Sequence, residues 1–96
     1  MRVRWTLPSL RDLESIGEFI EHDNSGAVAA RIVTAILDQA ENLAAFPHIG
    51  RPGHIAGTRE LVIVDTPFIA PYRVRDDAVE ILAVFHGSRK WPDALN

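Results

Sequence analysis

The chain has no cysteine, a single lysine among its ten basic residues and no long hydrophobic run in its 96 residues. The absence of cysteine excludes disulfides, thiolate metal sites and a cysteine nucleophile. Apolar runs such as Leu61–Val64 and Ile81–Phe85 are far shorter than the roughly 20 residues that a membrane-spanning helix needs. No basic segment precedes an apolar stretch at the N-terminus, so we expect a cytoplasmic protein without a secretory signal. The length predicts one domain.

Charge is distributed unevenly along the chain, whose formal net charge is −3. Residues 7–46 contain seven acidic residues and two arginines, whereas residues 47–96 contain six residues of each sign. All basic residues except Lys90 are arginine, the side chain suited to forked contacts with phosphate or carboxylate. The acidic first half argues against general coating of nucleic acid, although it leaves room for a local basic site.

Hydrophobic periodicity predicts a strand and two helices in the first half of the chain. The N-terminal strand has Val3, Trp5 and Leu7 on one face. Pro8 suits the first turn of a helix, and a second helical stripe runs until Pro47, so the two helices form an antiparallel hairpin. The two apolar stripes are Leu10, Leu13, Ile16, Gly17 and Ile20, and Ala29, Ile32, Val33, Ile36, Ala40, Leu43 and Ala44.

In the second half the period changes to two, which predicts strands over Glu60–Val64, Phe68–Arg75 and Ala78–His86. The predicted fold class is α+β, with an N-terminal strand, an antiparallel helix hairpin packed on an antiparallel sheet, and a C-terminal three-strand meander. The predicted segments are a strand (1–7), a helical hairpin (8–47), a connection (48–58), a strand meander (59–87) and a basic tail (88–96).

A two-residue turn at Asp76–Asp77 would fix the register of the last hairpin. Tyr72 then faces Ile81 on an apolar side that packs under the helices. On the other side Arg73 faces Glu80, a cross-strand ion pair that accounts for Arg73 without any function. Ile69, Leu82 and Val84 would lie on this mixed side, and an apolar surface of that kind is expected to be covered by a partner.

The densest cluster of functional residues is His86–Trp91, at the end of the predicted sheet. It could hold a phosphate with His86 as proton donor or acceptor, or it could be a strand end followed by a solvated basic tail. Arg59 follows the flexible pair Gly57–Thr58 and is either a binding residue or a loop anchor. The spacing of the four histidines fits no metal site, and we expect no metal and no cofactor.

Three elements in a fixed order resemble a known family. They are Gly-Arg-Pro-Gly at 50–53, Gly-Thr-Arg-Glu-Leu at 57–61, and His-Gly-Ser-Arg at 86–89. With Trp5 and the Pro71–Val74 segment, they resemble the RelE/ParE superfamily of toxins from bacterial type II toxin–antitoxin modules over nearly the whole length. The resemblance implies a helical hairpin over an antiparallel sheet and a cognate antitoxin whose C-terminal segment folds on the toxin.

The superfamily divides by target. Its RelE-like branch cleaves mRNA on the ribosome, and its ParE-like branch inhibits DNA gyrase and is not regarded as a nuclease. Nuclease members carry an arginine three residues before the tyrosine of the third strand, where this chain has Ile69, and lysines on the preceding strand, where it has Leu61–Val64. Loss of a phosphate-stabilising cation costs about 10²–10³ in rate. The resemblance therefore favours a ParE-like gyrase poison that is not an enzyme.

Two alternatives stay open beside it, a ribosome-dependent endoribonuclease and an inactive toxin that serves only as corepressor with its antitoxin. The resemblance implies three sets of site residues. They are, for antitoxin binding, Ile69, Arg73, Arg75, Leu82 and Val84; for target binding, His86, Arg89, Lys90 and Trp91; and for a nuclease, Arg59, Arg73, His86 and Arg89.

Overall fold

The structure, a computed structural model, describes residues 1–88. Two helices lie against one face of a mixed β-sheet, which confirms the predicted α+β class. The elements are β1 (Arg2–Trp5), α1 (Leu7–Asp23), α2 (Gly26–Glu41), a 3₁₀ turn (Asn42–Ala44), β2 (Arg51–Pro52), β3 (Arg59–Val62), β4 (Phe68–Arg75), β5 (Ala78–Ile81) and β6 (Phe85–His86).

Helix α1 begins one residue earlier than the sequence predicts. The Thr6 side chain accepts a hydrogen bond from the Ser9 amide at 3.3 Å and so caps the helix, and Pro8 lies in the first turn as predicted. Because Leu7 belongs to the helix rather than to the strand, it is exposed, and Leu10 is exposed as well. The predicted positions of Leu7 on the apolar face of the strand and of Leu10 in the apolar stripe of the helix are therefore wrong.

Helix α2 begins after the Ser25 cap and ends at Glu41, six residues before Pro47. The chain then tightens into the 3₁₀ turn, which still buries Leu43. The two helices pack closely at Gly17, where an added Cβ would lie 3.4 Å from the Val33 side chain. The helix hairpin is thus formed as predicted, with a shorter second helix.

The strand order is β1-β5-β4-β3-β2, and β6 also pairs with β4. All pairs are antiparallel except β1 with β5, which are parallel with Arg2 opposite Ala78 and Arg4 opposite Glu80. The prediction of a purely antiparallel sheet is wrong at this pair. Since β1 and β5 are about 75 residues apart in the chain, local periodicity does not show that they are neighbours.

The turn between β4 and β5 has two residues, as predicted. Asp76 and Asp77 have φ angles of 54° and 58°, the conformation that the twist of a two-residue hairpin favours. Val74 therefore pairs with Val79 and Tyr72 with Ile81.

Beyond Ile81 the predicted register fails. Tyr72 pairs with Ile81, and Ile69 pairs with Phe85. Between these two pairs β4 has three residue steps, whereas the segment from β5 to β6 has four. The extra residue interrupts the strand over residues 82–84, as in a β-bulge. Phe68 pairs with His86, and the two rings meet edge to face with centroids 5.8 Å apart.

The main core lies between the helix hairpin and the sheet. Tyr72 is its largest fully buried side chain, and Val3 and Trp5 of β1 pack against it half-buried. Within residues 1–88, neither helix is long and apolar enough to cross a membrane. The buried core residues are Leu13, Ile20, Ala29, Ile32, Ile36, Ala40, Leu43, Ile63, Ala70, Tyr72, Val79, Ile81 and Val84.

Candidate functional site

The face of the sheet opposite the helices carries a group of arginines, which we call the arginine face. It consists of Arg2 and Arg4 on β1, Arg73 and Arg75 on β4, and Glu80 between them on β5. Alternation along the strands explains the group, because the residues between these arginines, such as Val3 and Val74, pack against the core.

Glu80 is the centre of the arginine face. Its carboxylate accepts a hydrogen bond from Arg73 Nε at 2.7 Å and a second from Arg4 Nη2. The Arg73 hydrogen bond, helped by Arg4, holds the pKa of the Glu80 carboxyl below its usual range against the opposing effect of burial. The predicted pair between Arg73 and Glu80 is confirmed, whereas sequence reasoning missed Arg4.

The apolar residues predicted on this mixed face are not open to solvent. Ile69 is 6% exposed, Leu82 3% and Val84 2%. Because of the extra residue after Ile81, Val84 turns to the helix side and joins the main core, and its amide donates to Asp12 Oδ2 at 3.0 Å. The prediction that these three residues form an exposed binding surface is corrected by this burial.

Ile69 belongs to a second, smaller apolar cluster with Ala83 and Phe85. The position at which the resemblance implies an arginine in nuclease members is thus occupied by a buried aliphatic side chain. Ile69 therefore supplies no charged group to a substrate.

Arg59 is a loop anchor. Its Nη1 donates to the carbonyl oxygens of His48 at 3.2 Å and Gly50 at 2.8 Å. The Gly50 amide in turn donates to the Tyr72 hydroxyl at 2.9 Å, and burial raises the pKa of that hydroxyl although this bond and Arg59 oppose the rise. An added Cβ at Gly50 would lie 2.6 Å from the Tyr72 ring, so only glycine fits there.

His86 lies at the mouth of a groove of about 450 Å³ between α1 and the end of the sheet. The ring nitrogen Nδ1 accepts a hydrogen bond from the Ser88 amide at 3.1 Å, so a neutral ring carries its proton on Nε2. The side chain is exposed, and Phe19 opposite it is 68% exposed. The other residues that line the groove are Asp12, Ser15, Ile16, Phe68, Val84 and Phe85.

The structure brings together only part of the predicted basic residues. Arg59 and Arg73 line one pocket, whereas His86 lines the separate groove beside α1. Arg73 lies opposite Glu80 at one end of β4, whereas His86 pairs with Phe68 at the other end. Arg73 is five residue steps from Phe68 along the strand, a distance of about 17 Å at roughly 3.4 Å per step. The predicted residues Arg89, Lys90 and Trp91 lie outside the described residues.

Comparison with known proteins gives the same family over most of the chain. The family model described as the ParE toxin of the type II toxin–antitoxin system, parDE, matches residues 3–91. The protein Y4kP of Sinorhizobium fredii is 51% identical over 94 residues, covering 98% of this chain and 96% of its own. Toxin RelE2 of Caulobacter vibrioides is 35% identical over 88 residues, covering 92% and 97%.

A solved structure supports the same assignment. A chain of the chromosomal ParDE toxin–antitoxin system from P. aeruginosa superposes with a TM-score of 0.83 at 30% identity, over 90% of this chain and 95% of that chain. The helix hairpin on a mixed sheet is therefore the fold of these toxins. By sequence and by structure, the chain belongs to the ParE toxin family of type II toxin–antitoxin systems, within the RelE/ParE superfamily.

Proposed function

We propose that the chain is a growth-inhibiting toxin that acts on DNA gyrase and that a cognate antitoxin neutralises it. Membership of the ParE family supports the class of protein, and the similar P. aeruginosa chain comes from a ParDE toxin–antitoxin system. The choice of gyrase over mRNA depends on the geometry of the basic residues.

The choice is carried by the way Arg59 and Arg73 are bound within the fold and by their separation from His86. Cleavage of RNA requires several charged groups around one phosphate, held to within a fraction of an ångström. Here Arg59 and Arg73 line one pocket, but Arg59 is bound to loop carbonyls and Arg73 to Glu80. His86 lies about 17 Å from Arg73 along β4. Such an arrangement supports a toxin that binds its target rather than one that cuts it.

The direct test is supercoiling of relaxed plasmid by purified gyrase with increasing amounts of toxin. We expect supercoiling to fall as toxin approaches and exceeds the gyrase concentration. Full supercoiling at a large excess of toxin would contradict the gyrase proposal. Toxin incubated beforehand with its antitoxin is the control, and it should leave supercoiling unchanged.

The endoribonuclease remains the second candidate because the chain is 35% identical to a protein named RelE2. An exposed imidazole is available for proton transfer at His86, whose Nε2 is free for that purpose within the described residues. Mapping the 5′ ends of an mRNA under translation, with and without toxin, separates the two targets. Cuts within codons that depend on toxin would favour the nuclease.

The third candidate, an inactive toxin that acts only as corepressor, is separated by growth. Expression of the chain without antitoxin should stop colony formation if it is active against either target. Normal colonies, with the folded chain present in the cells, would support the corepressor.

The arginine face is the part of the predicted antitoxin site that stays accessible. Arg75 is exposed and Arg73 is partly exposed, whereas Ile69, Leu82 and Val84 are buried. We therefore restrict the proposed antitoxin contacts on this face to the arginines. Acidic side chains of a disordered antitoxin segment are suited to them, since such segments fold on binding.

A further inference from the structure

The arginine face contains two rows of the same geometry, each made of one residue from β1, one from β5 and one from β4. In the first row Glu80 lies between Arg4 and Arg73. In the second row Ala78 lies between Arg2 and Arg75. The rows are two residues apart along each strand, or about 7 Å.

The first row shows what this spacing can hold. The Glu80 carboxylate accepts hydrogen bonds from both flanking guanidinium groups, one through each oxygen. Neighbouring strands at a separation of about 4.8 Å therefore place two arginines correctly for one carboxylate between them. In this row the carboxylate comes from the chain itself.

The second row has the two cations but no carboxylate between them. Ala78 is fully buried and ends in a methyl group. Arg75 is 58% exposed, and its only ion pair in residues 1–88 is a 3.9 Å contact with the mostly exposed Asp76. Arg2 is exposed and has no ion pair among the described residues.

We propose that Arg2 and Arg75 form a binding site for a carboxylate side chain of an acidic peptide segment, which bridges the two exposed guanidinium groups as Glu80 bridges Arg4 and Arg73 in the neighbouring row. The identity of that segment as part of the antitoxin rests on the proposed function. The chemistry of the site rests on the two rows alone.

The charge of the molecule favours a peptide over nucleic acid. The chain carries a net −3, and residues 7–46 hold seven acids against two arginines, so the helix hairpin repels a long polyanion. Asp76 and Asp77 at the tip of the hairpin add to that repulsion close to the site. A single carboxylate bound by two guanidinium groups avoids most of this electrostatic repulsion.

The test is an NMR titration of the purified toxin with a synthetic peptide, acetyl-Ala-Glu-Ala-Glu-Ala-amide, and with its glutamine counterpart. The side-chain Nε–Hε signals of Arg2 and Arg75 should shift and saturate with the glutamate peptide, and salt should weaken the effect. The glutamine peptide should leave both signals in place. Equal shifts with the two peptides, or larger shifts with a short DNA duplex, would overturn the proposal.

Variants locate the binding. The double variant Arg2→Gln/Arg75→Gln should lower the affinity for the glutamate peptide about tenfold, since each exposed charge pair contributes modestly. The matched control Arg11→Gln/Arg31→Gln removes two exposed arginines from the helices and should change the affinity less than twofold. Similar losses in both double variants would mean that the peptide senses net charge only, and the proposal would then be wrong.

A third variant supplies the missing group from within the chain. Ala78→Glu repeats the sequence pattern of the Glu80 row, so its carboxylate should occupy the site and reduce peptide binding to the level of the double variant. Undiminished peptide binding by the folded variant would contradict the proposed position of the carboxylate. None of these measurements uses gyrase or an antitoxin, so their failure would leave the proposed function standing.

Discussion

The two faces of the sheet use the same strands for different purposes. On the helix side, Tyr72, Val79 and Ile81 are fully buried and bind the sheet to the helix hairpin. On the other side, the intervening residues Arg73 and Glu80 form ion pairs near solvent. Strand alternation thus places most of the stability on one face and leaves the charges of the other available for recognition.

The helix side should show the largest effect on stability. Tyr72→Ala removes a fully buried aromatic ring and should lower the free energy of unfolding by about 4 kcal/mol. Tyr72→Phe keeps the ring and loses only the hydroxyl that accepts a hydrogen bond from the Gly50 amide. It should lower the free energy of unfolding by about 1 kcal/mol. Chemical denaturation of both variants measures the difference, and equal losses would show that the ring packing is not what stabilises this face.

Glu80 should give the next largest effect, because it connects β5 to both neighbouring strands. Glu80→Gln leaves Arg4 and Arg73 without their shared anion and should lower the free energy of unfolding by about 2 kcal/mol. The loss is smaller than for a fully buried ion pair because both arginines reach solvent. The control Asp77→Asn removes an exposed acid at the hairpin tip and should cost little. Equal denaturation midpoints for the two variants would contradict a structural role for Glu80.

The same carboxylate makes stability depend on acid pH. The pKa of Glu80 is lowered in the folded chain, so its contribution is fully present above the unfolded pKa of about 4.3 and is lost as the pH falls through the folded value. The gap in unfolding free energy between the parent chain and Glu80→Gln should therefore be constant from pH 7 to about pH 5. It should narrow at lower pH, and a gap of the same size at pH 3 would contradict the assignment.

Removal of the outer charges should have the smallest effect on stability. Arg75→Gln, at a side chain that is 58% exposed, should change the unfolding free energy by less than about 0.5 kcal/mol. Combined with a measurable loss of peptide binding in the double variant, this result would separate recognition from stability on the arginine face. If Arg75→Gln lowered the melting temperature as much as Glu80→Gln does, recognition and stability would not be separate on this face.

Local patterns predicted most of the fold. The helices follow from apolar spacing and from the Thr6 and Ser25 caps, and the hairpin register from Tyr72 to Arg75 follows from a two-residue turn at Asp76. What local patterns could not show is the parallel pairing of β1 with β5 and the extra residue after Ile81. Both depend on how distant segments pack, and a shift of one residue turns Val84 to the other face.

The candidate site was predicted only in part for the same reason. The pair of Arg73 with Glu80 follows directly from the hairpin, whereas the contribution of Arg4 requires the neighbouring strand to be known. A signal was present in the alternation of Arg2 and Arg4 with Val3 and Trp5, which indicates that both arginines leave the core on one side. The attachment of Arg59 to loop carbonyls has no sequence signature, because backbone acceptors are the same for every residue.

The proposed action on gyrase is tested most directly by one assay with two forms of the protein, the parent chain and His86→Ala. If the toxin binds gyrase without using the imidazole as a catalyst, both forms should stop supercoiling of relaxed plasmid, and His86→Ala should need at most a higher concentration because His86 is a predicted target contact. Supercoiling that proceeds normally with both forms, together with translated mRNA that is cut by the parent chain and spared by His86→Ala, would contradict the account and establish a nuclease.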